Sequence, residues 1–282
     1  MVAKLDDLIA EVSATRRLVC AAADRTGLIA FVGGARQDGG PGGESYSYSS
    51  FASTVQAAAA GLTWRGLRPR DVVGVMVPDA VSFAIAMHAV RAAGGVPSPV
   101  DAGLCAVETA GQLAESGARM VITSPPLAEV ALAAADRSWV RQVFSFADAA
   151  GTTRFNDLLG LDMIRPSRGR PEDVALLPFS RGQDGRLRPV PVTHREYIDS
   201  LDRADQMARI TGHDLVLVMP PAGDGLTYTT LLDCALLSGA TVVAARRQEL
   251  AMAAVAHQGT VAIVPRDAVA IVPEKVRVLP VG

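Results

Sequence analysis

PFSRGQDGRLRPVPVTH, residues 178–194, is the stretch that organises the reading of the whole chain. Its central segment, 180–188, holds two glycines, three arginines and one serine. Apolar runs flank it, VALLPF at 174–179 and VPVTH at 190–194. A strand, a glycine-bearing polar loop and a second strand make a hairpin. Its tip offers backbone N–H groups and positive charge, the combination that holds an anion such as phosphate. It is not a Walker A loop, because no Gly-Lys-Ser/Thr opens a helix here. Taken alone, the same residues also read as a plain solvent-exposed hairpin, since short glycine loops are common turn chemistry.

The segments on either side alternate in character. Upstream, VVGVMV at 72–77, GGVPSPV at 94–100, ARMVIT at 118–123 and VRQVFSF at 140–146 read as strands. Between them lie helical stretches at 80–93, capped by Asp79, at 106–116 and at 126–135. Apolar strands alternating with helices of this length predict parallel sheets covered on both faces. The chain begins with an amphipathic helix over 5–23, with Leu8, Ile9, Val12, Leu18 and Val19 at helical spacing, then a strand at 28–32. A glycine-rich loop at 33–45 leads to a helix over about 50–66, with Ser49 or Ser50 as its N-cap. Residues 146–172 read as polar and irregular, with DLLG at 157–160 as a short helical turn.

Downstream, Thr193 precedes a helix to about Ile210. Strands at 214–220, 240–245, 260–265 and 276–281 alternate with helices at 225–237 and 250–257. The expected fold is therefore α/β: two packed α/β units with largely parallel sheets covered by helices, one over 1–172 and one over 173–282, with the hairpin opening the second.

Composition narrows the function. A net charge of −2 over 282 residues favours neither nucleic acid nor anionic lipid, and 5% aromatics leave no base-stacking platform. The opening MVAKLDDLIAEV is too acidic for a signal peptide, and the longest apolar stretch, 225–245, is broken by Asp233 and Gly239. A cytoplasmic protein without a membrane span is expected. Cys20, Cys105 and Cys234 are far apart, lack metal-ligand spacing and sit among apolar neighbours, so buried free thiols are expected.

Little else carries chemistry. The four histidines, His88, His194, His213 and His257, show no ligand spacing. His88 on its apolar helix reads as a packed or partly exposed residue. No serine sits in GxSxG, and no GxGxxG follows a strand. The carboxylate pairs Asp6–Asp7 and Glu172–Asp173 read as solvated element ends. One further polar cluster, PPAGDGLTY at 220–228, lies between a strand and a helix. Ligands of open parallel sheets bind outside the carboxyl ends of strands. Ala222, Gly223 and Asp224 are thus candidate substrate contacts, or an ordinary strand-to-helix turn.

Lined up in order, these segments resemble the adenylate-forming superfamily of acyl-CoA synthetases, acyl-AMP ligases and adenylation domains. SYSYSSF is similar to its "YTYxEL" entry, VRAAGGVPSPVD to "xxAGxxxxPLD", and QLAESGARMVIT to "xxxxDSGAKxxI". EDVALLPFSRGQDGRLRPVPVTHRE resembles the phosphate-binding signature "DxAxLxYTSGTTGxPKGVxxTHxN". LVLVMPPAGDGLTYTTLLDCALLSGATVV resembles "xLxxxPLFHxxGLxxxLLxxLLxGATVV". The resemblance implies a fold in which a carboxylate attacks the α-phosphate of ATP, with Mg, to give an acyl-adenylate and pyrophosphate. It places Ser180 at the loop hydroxyl, Gly182 and Gly185 at the loop glycines, and Arg188 at the loop lysine. Thr193 and His194 keep the trailing pair.

The departures are specific. Arg181 stands for a serine, and Gln183 and Asp184 stand for two threonines whose hydroxyls face phosphate. Pro189 stands for a glycine and removes a donor. A carboxylate about 4 Å from a phosphate charge costs roughly 1 kcal/mol in water and roughly 4 at an effective dielectric of 20. Arg181, Arg186 and Arg188 offset this, although arginine does not replace lysine one for one. At the gate, PPAGDG lacks the family's aromatic and histidine. The family's later adenine, ribose and lysine motifs have no counterpart in these 282 residues. The sequence thus leads to a truncated or degenerate module that does not complete adenylation alone. Its alternatives are an active ligase whose other half lies elsewhere, and a non-catalytic interaction protein. A protein partner or self-association through an uncovered apolar face is expected, along with a nucleotide or acyl ligand.

Overall fold

The computed structural model describes residues 13–25, 27, 29–32, 45–160, 162–182, 186–219 and 225–282. Helix α1 is Ala14–Asp24, followed by β1 (Ile29–Val32), β2 (Ser45–Ser47) and α2 (Tyr48–Trp64). Then come β3 (Val72–Met76), α3 (Ala80–Ala92), β4 (Val96–Pro99), α4 (Ala106–Ser116), β5 (Met120–Thr123), α5 (Ala128–Ala135), β6 (Gln142–Ser145) and β7 (Thr153–Arg154). The second part holds β8 (Val174–Leu176), β9 (Phe179–Arg181), β10 (Leu187–Pro189), β11 (Val192–Thr193) and α6 (His194–Ala208). It continues with β12 (Leu215–Val218), α7 (Gly225–Ser238), β13 (Thr241–Ala244), α8 (Leu250–Ala256), β14 (Val261–Pro265) and β15 (Arg277–Val281).

Two main sheets result. One has the order β4-β3-β5-β6-β7 and is parallel throughout. The other has the order β15-β14-β12-β13-β1-β2, parallel except for the β1–β2 pair. The sheets interleave in sequence, because β1 and β2 join strands that come some 200 residues later, with Phe31 opposite Val242.

Side-chain alternation sorts the layers. In β12, Val216 and Val218 face one apolar cluster while Leu217 and the following Met219 face another. In β3, Val73 and Val75 share the first cluster, and Met76 faces a third. The first cluster also takes residues from α2, α3 and α7, so these helices form a layer between the two sheets. Helices α4 and α5 cover the outer face of one sheet, and α8 covers that of the other. The layers run helix, sheet, helix, sheet, helix, as strands apolar on both faces require.

The middle layer explains α3. All thirteen of its residues are buried, so it is apolar nearly all round. Asp79 caps it, its carboxylate accepting from Val81 N and Ser82 N. Its two largest polar residues, His88 and Arg91, are 1% and 3% exposed and need partners. Asp233 of α7 supplies them. His88 Nε2 lies 3.1 Å from Asp233 Oδ1, Arg91 Nη1 donates to Oδ2 at 2.8 Å, and Tyr197 Oη donates to the same oxygen at 2.7 Å. Thr15 of α1 closes the chain at His88 Nδ1, 2.8 Å away. His88 is thus fully packed and hydrogen-bonded on both nitrogens.

Several expectations are corrected. The helix after SYSYSSF is capped by Ser47, whose hydroxyl accepts from Ser50 N; Ser49 and Ser50 already lie inside it. Cys20 and Cys105 are exposed and only Cys234 is buried. Cys20 lies on a solvent-facing side of α1, and Cys105 sits at the N-cap of α4. Within 146–172 there is an unexpected short strand, β7, while the helical turn expected at 157–160 is a 3₁₀ turn at Phe155–Leu158. Glu172 is exposed with a 3.3 Å pair to Arg195, whereas Asp173 is partly buried and holds Arg70 at 2.7 Å. Residues 5–12, with Asp6 and Asp7, and the loop at 33–44 lie outside the described residues.

Candidate phosphate-loop site

The hairpin exists as the sequence requires. β9 and β10 pair antiparallel, with Arg181 opposite Leu187, Ser180 opposite Arg188 and Phe179 opposite Pro189. Gly182 N donates to Arg186 O at 2.8 Å and closes the arm toward its tip. The tip residues Gln183, Asp184 and Gly185 lie outside the described residues. Since cross-strand partners share a face, Ser180 and Arg188 project to one side of the ribbon and Arg181 to the other. Ser180, Arg181, Gly182, Arg186 and Arg188 are all exposed.

The base of the hairpin is fixed to the rest of the fold. Val190 N donates to Pro178 O at 2.8 Å, and Leu177 N to Pro97 O at 3.0 Å. Ser98 Oγ donates to Leu177 O at 2.7 Å. The last two bonds hold the root of the hairpin to β4. Below it, β8 pairs with β11, and Thr193 then starts α6 with a capping box in which Glu196 Oε2 accepts from Thr193 N.

The second predicted cluster meets the first. Ala222, Gly223 and Asp224 lie outside the described residues, but Gly225, which follows them, is placed. A Cβ on Gly225 would sit 3.2 Å from Pro99 Cβ and 3.9 Å from Pro178 Cβ. The end of β4, the root of the hairpin and the start of α7 therefore converge. Pro99 ends β4, and α7 follows β12, so the meeting point lies at the carboxyl ends of strands from both sheets.

Glu108 enters this region unannounced by any motif. It closes the α4 capping box, its Oε2 accepting from Cys105 N at 3.0 Å. That bond, with the nearby Arg181 guanidinium adding to it, lowers its carboxyl below the usual range. Arg181 thus leans toward α4, on the face of the ribbon away from Ser180 and Arg188. Among the described residues no group of three or more His, Cys, Asp or Glu side chains converges as a metal site, and no helix is long and apolar enough to cross a membrane.

Comparison with known proteins agrees with this geometry. A long-chain-fatty-acid–CoA ligase from Archaeoglobus fulgidus superposes over 92% of this chain and 53% of its own, with a TM-score of 0.81 at 19% identity. An o-succinylbenzoate CoA synthetase from Bacillus subtilis, solved with its acyl-adenylate intermediate, gives 0.74 at 17% identity over 94% of this chain and 68% of its own. Among curated proteins, 4-coumarate–CoA ligase 4 of Arabidopsis thaliana is 26% identical over 227 residues, which are 75% of this chain and 40% of that one. The layered fold is that of the N-terminal domain of adenylate-forming enzymes. Residues 20–273 match the model of the AMP-binding enzyme family, and the chain belongs to that family. It spans about 40% of the length of the curated relatives it matches.

Proposed function

We propose that this chain is an acyl-adenylate-forming module whose hairpin keeps anion binding and has lost the hydroxyl cradle that positions ATP. One observation carries the reading. The exposed hairpin offers Ser180, Arg181, Gly182, Arg186 and Arg188 to solvent, while the two tip positions where the family places threonines hold Gln183 and Asp184. Cations and backbone N–H groups of this kind fit a phosphate chain. ATP, when bound with Mg, would supply the α-phosphorus that a carboxylate attacks. The residues of this chain would hold the phosphates through Ser180 and Arg188, which share one face of the ribbon. Asp184 opposes the same charge. With Gln183 and Asp184 in place of the two hydroxyls, the loop would not stabilise the transition state as the family's loop does.

The carboxylic acid, fatty or aryl, would enter where Pro99, Pro178 and Gly225 meet, beside Ala222, Gly223 and Asp224. A second reading, an active ligase completed by a further polypeptide, draws support from the same placement of hairpin and α7. Self-association is part of the proposal, because β15 forms an edge of the larger sheet and edge strands recruit other chains. The proposed form is cytoplasmic. Calorimetric titration with ATP and with a non-hydrolysable acyl-adenylate analogue tests the binding claim. Heat with either ligand, lost on Arg188→Ala, is expected. No heat with either would leave a protein that has shed its ligands.

A further inference from the structure

A second polar cavity lies at the opposite end of the strands from the hairpin. Pro69 and Arg70 precede β3, and Gly94 and Gly95 precede β4, so it opens at amino ends. Its volume is about 390 Å³. That exceeds the needs of a bare ion, given that a water occupies roughly 30 Å³.

Its lining is cationic. Arg70, Arg91, Arg170 and His194 line it, and Asp173 is the one carboxylate among the lining residues. Asp173 is already engaged. Its Oδ1 accepts from Nε and Nη2 of Arg70 at 3.2 and 2.7 Å, and its Oδ2 accepts from Arg170 N at 3.1 Å. The acid thus orients Arg70 and the turn that carries Arg170, and its charge is offset by the Arg70 guanidinium.

Arg91 forms a fixed floor of the cavity. It is 3% exposed. Nε donates to Ala175 O at 3.2 Å and Nη1 to Asp233 Oδ2 at 2.8 Å, but Nη2 has no partner among the described residues. Nε and Nη2 share one edge of the planar guanidinium, so Nη2 turns with Nε toward β8, and the guanidinium carbon lies 4.5 Å from the centre of the Tyr197 ring. The wall is shaped by a glycine as well. Gly169 has φ +63°, and a Cβ there would lie 2.6 Å from His194 Nε2. Only glycine lets the imidazole occupy this place.

We propose that this cavity binds a small phosphate monoester, held by Arg70, Arg170 and His194. Arginine forks match phosphate oxygens two at a time, and the remaining volume takes the organic part. The proposal does not depend on the hairpin. Its test is calorimetry of the full 282-residue chain with glycerol 3-phosphate and with inorganic phosphate at low salt. The ester should bind more tightly than inorganic phosphate. Arg170→Ala, at an exposed position that folding does not need, should weaken it by about tenfold, the loss of one charged hydrogen bond. Arg188→Ala in the hairpin should leave it unchanged. In ¹⁵N-resolved spectra the amides of Gly94, Gly95 and Gly169 should shift and that of Gly182 should not. Absence of binding, an unchanged affinity in Arg170→Ala, loss in Arg188→Ala alone, or equal affinity for inorganic phosphate would each overturn the proposal.

Discussion

Asp233 Oδ2 stands 2.8 Å from Arg91 Nη1, and both side chains are almost wholly withdrawn from solvent, at 3% and 1% exposure. The pair joins α7 to α3 in the layer between the two sheets. Burial pushes the Asp233 carboxyl upward. His88 and Arg91 beside it, with hydrogen bonds from His88 and Tyr197, more than offset this and hold it well below the usual carboxylate range. An ionised carboxylate only accepts, so His88 Nε2 carries the proton in its contact with Asp233.

Removing one partner of a buried pair strands the other. Asp233→Ala should therefore destabilise the chain by about 3–5 kcal/mol in urea unfolding. Asp233→Asn keeps the volume and one acceptor and should cost less. A loss under about 1 kcal/mol for the alanine variant would show that the pair does not bind the layers together.

The same carboxylate fixes a pH dependence. Its folded pKa is depressed, so its contribution is fully present above the unfolded value, about 3.9, and is lost as pH falls toward the folded value. The stability difference between wild type and Asp233→Asn should be flat from about pH 5 to 7 and should shrink below about pH 4. Urea midpoints measured across that range give the answer. A difference that grows on acidification would reverse the sign.

Thiol chemistry separates the cysteines. Cys20 and Cys105 are exposed, while Cys234 is 3% exposed and its Sγ lies 3.8 Å from Asp205 Oδ1. Burial, helped by the Asp205 carboxylate, pushes the Cys234 thiol up to about 12. Since the thiolate is the nucleophile, a disulfide reagent at neutral pH should modify two thiols quickly and the third only on unfolding. Three thiols of similar rate would place Cys234 outside the core.

Much of the fold was legible because apolar runs and caps carry their own signals. The helices at 106–116 and 80–92, the Asp79 cap and the hairpin at 179–189 follow from local chemistry. Pairing across the chain was not legible. Nothing local says that Phe31 lies opposite Val242, because a short apolar run fits either sheet equally well. Ser47 was missed as a cap because SYSYSS offers four serines in succession of alternate residues and neighbours, and tertiary packing of Tyr48, with its hydroxyl on Ala240 O at 2.7 Å, selects among them. Asp233 in an apolar stretch was read only as a break in a membrane span. A buried histidine and a buried arginine one helix away explain it, and they lie more than 140 residues distant. At the site, glycines and arginines marked the hairpin, but Glu108 and the contact of Gly225 with Pro99 arise only from the fold.

The proposal that ties these observations together is that this chain carries the family's phosphate hairpin in a form that does not complete adenylation alone. ATP–pyrophosphate exchange by the isolated 282-residue chain, with a panel of fatty and aryl acids that includes 4-coumarate, tests it most directly. The account predicts no exchange above the acid-free background. Clear acid-dependent exchange would contradict it and establish a working ligase active site within these residues.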